Sequence, residues 1–160
     1  MLAPRVPLVA GPSSSHDTAS GPAVLLCLAG MKPPASHVDL LDRPLFAHLA
    51  TVTAGGAPLV NPMWFLWDAD AELVRMTHTN NRHNYRYLLR EPRVALSIAD
   101  PDDQYRYLQL RGVVDAIDPD PTGGFFQVLA RRYRGVAPQE VPDRDVRVVL
   151  SIRPTAFKAR

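Results

Sequence analysis

The sequence predicts a β-rich α+β domain with one core, able to close as a small barrel, and three observations lead there. Its 160 residues are 46% hydrophobic and 21% charged, inside the range of a single compact unit. Beyond residue 36, short alternating apolar runs are divided by Gly, Pro, Asp and Asn, the pattern of strands and tight turns. Two stretches instead carry the 3.6-residue period of a helix.

The first thirty-five residues read as a disordered extension, because Pro, Gly and Ser punctuate them and no apolar period is sustained. Met31 stands as a possible true start. The apolar run at 23–28 is too short for the core of an export signal, which needs roughly seven to fifteen residues. The domain proper is expected over 36–160. Ser36 is placed to cap a short helix reaching Leu41, with Asp39 in its first turn. Residues 46–53 alternate as a strand, Ala54-Gly55-Gly56 makes a tight turn, and 58–67 form a second, aromatic strand, so the pair reads as a hairpin. After Asp68-Ala69-Asp70, β-branched and apolar residues mark a third strand over 72–77.

A helix is predicted over 80–90, with Tyr85, Leu88 and Leu89 on a packing side and Arg82, Arg86 and Arg90 recurring every four residues on another. Pro92 ends it. Strands follow over 94–99 and 107–117, separated by the turn formers Asp100-Pro101-Asp102-Asp103. A second long helix over 125–133 carries Phe125, Phe126, Leu129 and Tyr133 as a stripe, and a last strand runs over 146–157.

Composition excludes several function classes. A balance of 18 basic and 16 acidic residues, net +2, leaves no cationic footprint for nucleic acid or a membrane surface. No run of about 18 apolar residues spans a bilayer. Cys27 is the only cysteine, which rules out an intramolecular disulfide and fits a reducing cytoplasm. His78 and His83 are five apart with no Cys nearby, so no metal site is expected. The chain has neither a Gly-x-Ser-x-Gly nucleophile turn, a Gly-x-Gly-x-x-Gly fingerprint nor a Walker loop, which disfavours hydrolase, Rossmann and P-loop chemistry.

A different anion site is suggested at Thr77-His78-Thr79-Asn80-Asn81, where a strand leads into the Arg-bearing helix. Hydroxyls, helix N-terminal amides and guanidiniums are the donors an anion requires. The same residues equally suit a capped helix with a solvated basic face. Trp64, Phe65 and Trp67 face a similar choice between packing and the wall of a ring-binding site.

The order and spacing of several segments carry a family resemblance. These are Phe46-Ala47-His48-Leu49-Ala50-Thr51-Val52, Gly56-Ala57-Pro58-Leu59-Val60-Asn61-Pro62-Met63-Trp64-Phe65, Arg90-Glu91-Pro92-Arg93-Val94-Ala95-Leu96-Ser97-Ile98 and Tyr105-Arg106-Tyr107-Leu108-Gln109-Leu110-Arg111-Gly112. From residue 45 to 158 the chain resembles the pyridoxamine 5'-phosphate oxidase-like split-barrel family, particularly its deazaflavin (coenzyme F420)-dependent branch. The resemblance implies a six-stranded, Greek-key-like split β-barrel with two to three short helices, a homodimer, and two coenzyme sites at the subunit interface.

It also implies that the coenzyme ring lies along Val60, Asn61, Pro62, Met63 and Trp64, and that the phosphate meets Thr77, Thr79, Arg82 and Arg86, with His78 close by. Family members commonly carry a Lys where this sequence has Asn84, so an arginine would have to replace that charge. The function implied is hydride transfer between the deazaflavin and a small organic acceptor. An FMN-dependent oxidoreductase or flavin reductase, and a non-enzymatic flavin- or haem-binding protein, are the alternatives. No proton donor is assigned by the sequence.

Overall fold

A computed structural model describes residues 31–160; the expectations for residues 1–30, Cys27 among them, lie outside the described residues. Strand β1 (Ala47–Val52) and strand β2 (Pro58–Met63) form the predicted hairpin, with Ala47 opposite Met63 and Val52 opposite Pro58. Alternation decides which face is buried: Ala47, Leu49 and Thr51 point inward and His48, Ala50 and Val52 outward. Strands β3 (Phe65–Asp68) and β4 (Leu73–Thr79) pair next, followed by helix α2 (His83–Arg90), strand β5 (Arg93–Ala99) and strand β6 (Tyr107–Pro119). Helix α3 (Gly124–Arg134) and strand β7 (Arg147–Ala159) complete the chain after a short helix α1 (Asp39–Asp42) at its start.

The aromatic run expected as one strand over 58–67 is broken at Trp64. Its first half pairs with β1 and its second half with β4, where Phe65 stands opposite Met76. In the sheet order β2-β1-β5-β6-β7-β4-β3 the two halves hold opposite edges, yet a single residue joins them. The antiparallel sheet must therefore curl until its edges meet, which makes an α+β split barrel. Six expected strands become seven through that one break.

Inside the curl, Phe65, Met76, Leu88, Ile98, Leu108, Leu150 and Ile152 are fully buried. Each contributes about 1.5–3 kcal/mol by removal from water. Leu40 and Leu41 of α1 join the same core, against β3 and β5. Among the described residues no helix is long and apolar enough to cross a membrane.

Three local expectations are corrected. Ser36 lies within a 3-10 turn (Ala35–His37) and its hydroxyl bonds His37 Nδ1, so it caps no α-helix. Helix α2 begins at His83 with Arg82 at the cap position, and neither Thr79 nor Asn80 caps it; Thr79 is still in β4 and Asn80 N–H donates to Val146 O. Leu89 is 45% exposed, leaving Leu88, with Tyr85 beside it, to pack α2.

Helix α3 is set by Asp120, whose carboxylate accepts from the Phe125 and Phe126 amides at 3.1 and 3.4 Å. Such a bond relieves the unpaired donors of a helix start.

At the β6–β7 pairing, Gly112 faces Pro154 where the register shifts. A proline has no N–H to give the ladder, so it is tolerated at such a bulge. A Cβ on Gly112 would stand 2.7 Å from Arg153 O and 2.9 Å from Ile152 Cγ2, too close for the backbone to absorb without moving. Gly112→Ala is expected to destabilise the fold by about 1–3 kcal/mol, read as a Tm lowered by several degrees in a thermal melt. An unchanged Tm would show that the bulge relaxes freely.

Candidate functional site

The break at Trp64 opens a cavity of about 360 Å³ between β2, β4 and α3. Pro62, Met63 and Trp64 line it from one edge, and Thr77, His78 and Thr79 from the end of β4. Arg82 enters from the cap of α2, Phe126 and Arg134 from α3, and Asp143 and Arg147 from the approach to β7. Seven of the sequence-predicted residues are thus brought together: Pro62, Met63, Trp64, Thr77, His78, Thr79 and Arg82.

The other four are not on its wall. Val60 is 54% exposed on the outer face of the sheet and lines a separate groove there. Asn84 Nδ2 donates to Asn61 Oδ1 at 2.6 Å, tying α2 to β2. Arg86 is exposed one turn beyond Arg82.

Trp64 forms part of an aromatic cluster. Its ring stacks on Tyr133 at 4.9 Å with 12° between planes and on Phe126 at 6.0 Å with 20°. Tyr133 fixes the break itself: its hydroxyl donates to Leu45 O at 2.6 Å and accepts from the Phe65 amide at 3.1 Å. The interrupted ladder would otherwise leave that amide without a partner. Burial pushes the Tyr133 phenol above its ordinary value, which keeps it protonated for this role.

On the opposite wall the polar groups are arranged by Arg147. Its guanidinium pairs with both oxygens of Asp143 at 2.8 and 2.9 Å and lies 3.8 Å from the centre of the Phe126 ring. It also donates to Thr77 Oγ1 at 3.0 Å. A hydroxyl that accepts there keeps its own proton for another partner.

The Thr79 hydroxyl is buried without any hydrogen-bond partner. Burying a polar atom unpaired is costly, and here the atom belongs to a residue on the cavity wall. The Thr77 hydroxyl and the Arg82 guanidinium line the cavity as donors suited to an anion, and the Thr79 hydroxyl is shielded from solvent in the same wall. His78 Nδ1 lies 2.8 Å from both the amide and the carbonyl of Thr79. Desolvation holds its pKa below the ordinary 6.5, with Arg82 adding to that effect, so the ring is neutral at pH 7. Among the described residues no cluster of His, Cys, Asp and Glu could hold a metal ion.

The pyridoxamine 5'-phosphate oxidase family model matches residues 34–160. The chain belongs to that family. Among solved structures, this family member is 48% identical to one described as an F420 reductase, at a TM-score of 0.75 over 79% of this chain and 98% of that one. At that identity and coverage the two chains are relatives within one family. A conserved hypothetical protein from Mycobacterium tuberculosis shares the fold at 20% identity, with a TM-score of 0.64 over 82% of this chain and 86% of that one. HupZ of group A Streptococcus shares it at 15% identity and a TM-score of 0.56, over 80% of this chain and 94% of that one. No curated protein matches the chain.

Sequence reasoning missed five residues on the wall of this oxidase-family cavity: Phe46, Phe126, Arg134, Asp143 and Arg147. The four-residue spacing of Asp143 and Arg147 was one available signal, and the basic end of α3 at Arg131, Arg132 and Arg134 was another. Neither points to a cavity until the barrel closes.

Proposed function

We propose that this protein is a coenzyme F420-dependent oxidoreductase that works as a homodimer and reduces a small organic acceptor. The observation that carries the reading is the partnerless Thr79 hydroxyl, buried beside Thr77 and Arg82 and opposite the aromatic residues around Trp64. Its family and its likeness to an F420 reductase support the choice of coenzyme. In this reading Thr77, Thr79 and Arg82 hold the coenzyme phosphate, a donor set suited to an anion. Pro62, Met63 and Trp64 flank the ring, and the aromatic side chains keep water from it.

The chemistry that a deazaflavin held by these residues would supply is hydride transfer to an acceptor, whose unsaturated bond would take up the two electrons and then a proton from solvent. Arg147 orients the Thr77 hydroxyl, Asp143 fixes Arg147, and Tyr133 keeps Trp64 in place. His78 stays uncharged beside the cationic donors, so it adds no further positive charge near the coenzyme.

The homodimer is supported by the outer sheet face, where the small side chains of Ala50, Ala95 and Ala156 line a groove of about 480 Å³ with Val60. Val60 and Pro62 share one face of β2, so a second subunit on that face would border the cavity.

Adding coenzyme F420, FMN and haem separately to the purified protein, then removing free ligand, tests the reading. Retained F420 with a shifted absorption spectrum, and a mass in light scattering about twice that of the chain, are expected. Retention of FMN or haem without F420 would transfer the protein to one of the alternative classes.

A further inference from the structure

The charged groups of the cavity do not all serve one anion. Asp143 takes Arg147 through both oxygens, which cancels that pair internally. Arg82 stands with the hydroxyls of Thr77 and Thr79. Among the described residues Arg134 has neither a carboxylate partner nor a hydrogen bond, and its guanidinium lies over the face of Trp64, 4.7 Å from the ring centre. We infer that Arg134, backed by Trp64, forms a second subsite, which binds the carboxylate of a small unsaturated organic acid, and, resting on the coenzyme reading above, that this acid is the hydride acceptor.

The chemistry follows from how a guanidinium stacks. Lying over an indole, it uses its face and leaves the N–H donors at its edge directed outward, and those donors match the two oxygens of a carboxylate. Stacking also removes side-chain freedom before the ligand arrives, so less entropy is lost on binding. Trp64 is itself stacked on Phe126 and Tyr133, so the indole that backs the guanidinium is held in place before a ligand arrives. Position adds a further reason. Arg134 ends α3, Arg82 precedes α2, and both line the one cavity, so an acid held by the first leaves the second to the coenzyme.

The subsite is separable from the coenzyme by its ligand. Trans-cinnamate and methyl trans-cinnamate have the same planar skeleton and differ in the negative charge. Isothermal titration calorimetry of each into the full-length protein, with and without coenzyme F420, is the test. The acid is expected to bind about ten- to hundredfold tighter than the ester, the value of a hydrogen-bonded charge. Arg134→Gln should collapse that ratio toward one and Arg134→Lys should retain part of it, while F420 affinity stays unchanged in both.

An acid-over-ester preference that survives in Arg134→Gln, no preference in the wild type, or no measurable binding of either compound would overturn the subsite. If F420 fails to bind while the Arg134-dependent preference persists, the anion subsite stands and the assignment of its occupant as a deazaflavin hydride acceptor falls. If F420 binds but cinnamate shows no preference, the subsite falls and the coenzyme reading stands.

Discussion

Arg82→Ala is expected to weaken binding of coenzyme F420 about ten- to hundredfold, and Arg86→Ala by less than about threefold, because a lost charge-assisted hydrogen bond costs about 1.5–3 kcal/mol while an exposed charge one turn away acts through water. The two arginines look equivalent in the sequence, four residues apart on one helix. In the structure both are exposed, but Arg82 is the cap residue of α2 and lines the cavity with Thr77 and Thr79, whereas Arg86 lies outside it.

Thr79→Val serves as a companion, since it keeps the shape and removes the partnerless hydroxyl. It should weaken F420 binding less than Arg82→Ala does and should raise Tm, because an unpaired buried oxygen is gone. Fluorescence titration of the coenzyme gives the affinities, and circular dichroism verifies the fold. Equal losses in the two arginine variants would remove the reason for separating them, and unchanged affinity in Arg82→Ala would take the phosphate from this end of β4.

Asn84 stands where the family resemblance led to an expected lysine, and its amide holds Asn61 across the gap between α2 and β2. A lysine there would gain a cation at the expense of that bond, so its effect on binding reports on both changes together.

What was legible in the sequence was local. Alternation over 47–52 and 93–99 reports directly which side chains enter the core, and the helical period of 124–134 is read without knowledge of the fold. The break at Trp64 was not legible, because residues on both sides of it are extended and apolar and only the change of partner, from β1 to β4, separates them. That change is a consequence of closing the barrel. The same closure brings Arg147 to Thr77 and Tyr133 to Leu45, across 70 and 88 residues of chain. In the sequence Arg147 is an ordinary residue at a strand start, and Tyr133 one more member of an apolar stripe. Sequence reasoning found the wall made by neighbouring segments and missed the wall contributed by α3 and β7.

Arg106 gives the largest expected effect on stability, and its role is as hidden in the sequence as that of Arg147. From the loop before β6 its guanidinium donates to Asp39 of α1, to Asp100 at the end of β5 and to Ser36 O. Asp100 also accepts from Arg43 and from the Asp102 amide, and its side chain is only 7% exposed. Hydrogen bonds from Arg106, then from the Asp102 amide and Arg43, hold the Asp100 carboxyl down at about 2 against an ordinary 3.8. Asp39 is lowered as well, chiefly by Arg106.

Arg106→Ala removes the cation that Asp39 and Asp100 share, leaves Asp100 with Arg43 and the Asp102 amide, and takes one tie from α1, whose Leu40 and Leu41 are in the core. A Tm lowered by several degrees at pH 7 is expected, since the nearly buried Asp100 carboxylate loses one of its two guanidinium partners. The pH dependence has a fixed sign. A carboxyl whose pKa is lower folded than unfolded stabilises the fold above its unfolded value, and that contribution disappears as pH falls through the folded one. The deficit of Arg106→Ala against the wild type should therefore be greatest near neutrality and shrink as pH falls from about 4 to 2, because Asp100 becomes protonated in both proteins. Urea melts across that range measure it. A deficit of the same size at pH 2 and pH 7 would mean that Arg106 acts through packing of its side chain and not through its charge on Asp39 and Asp100.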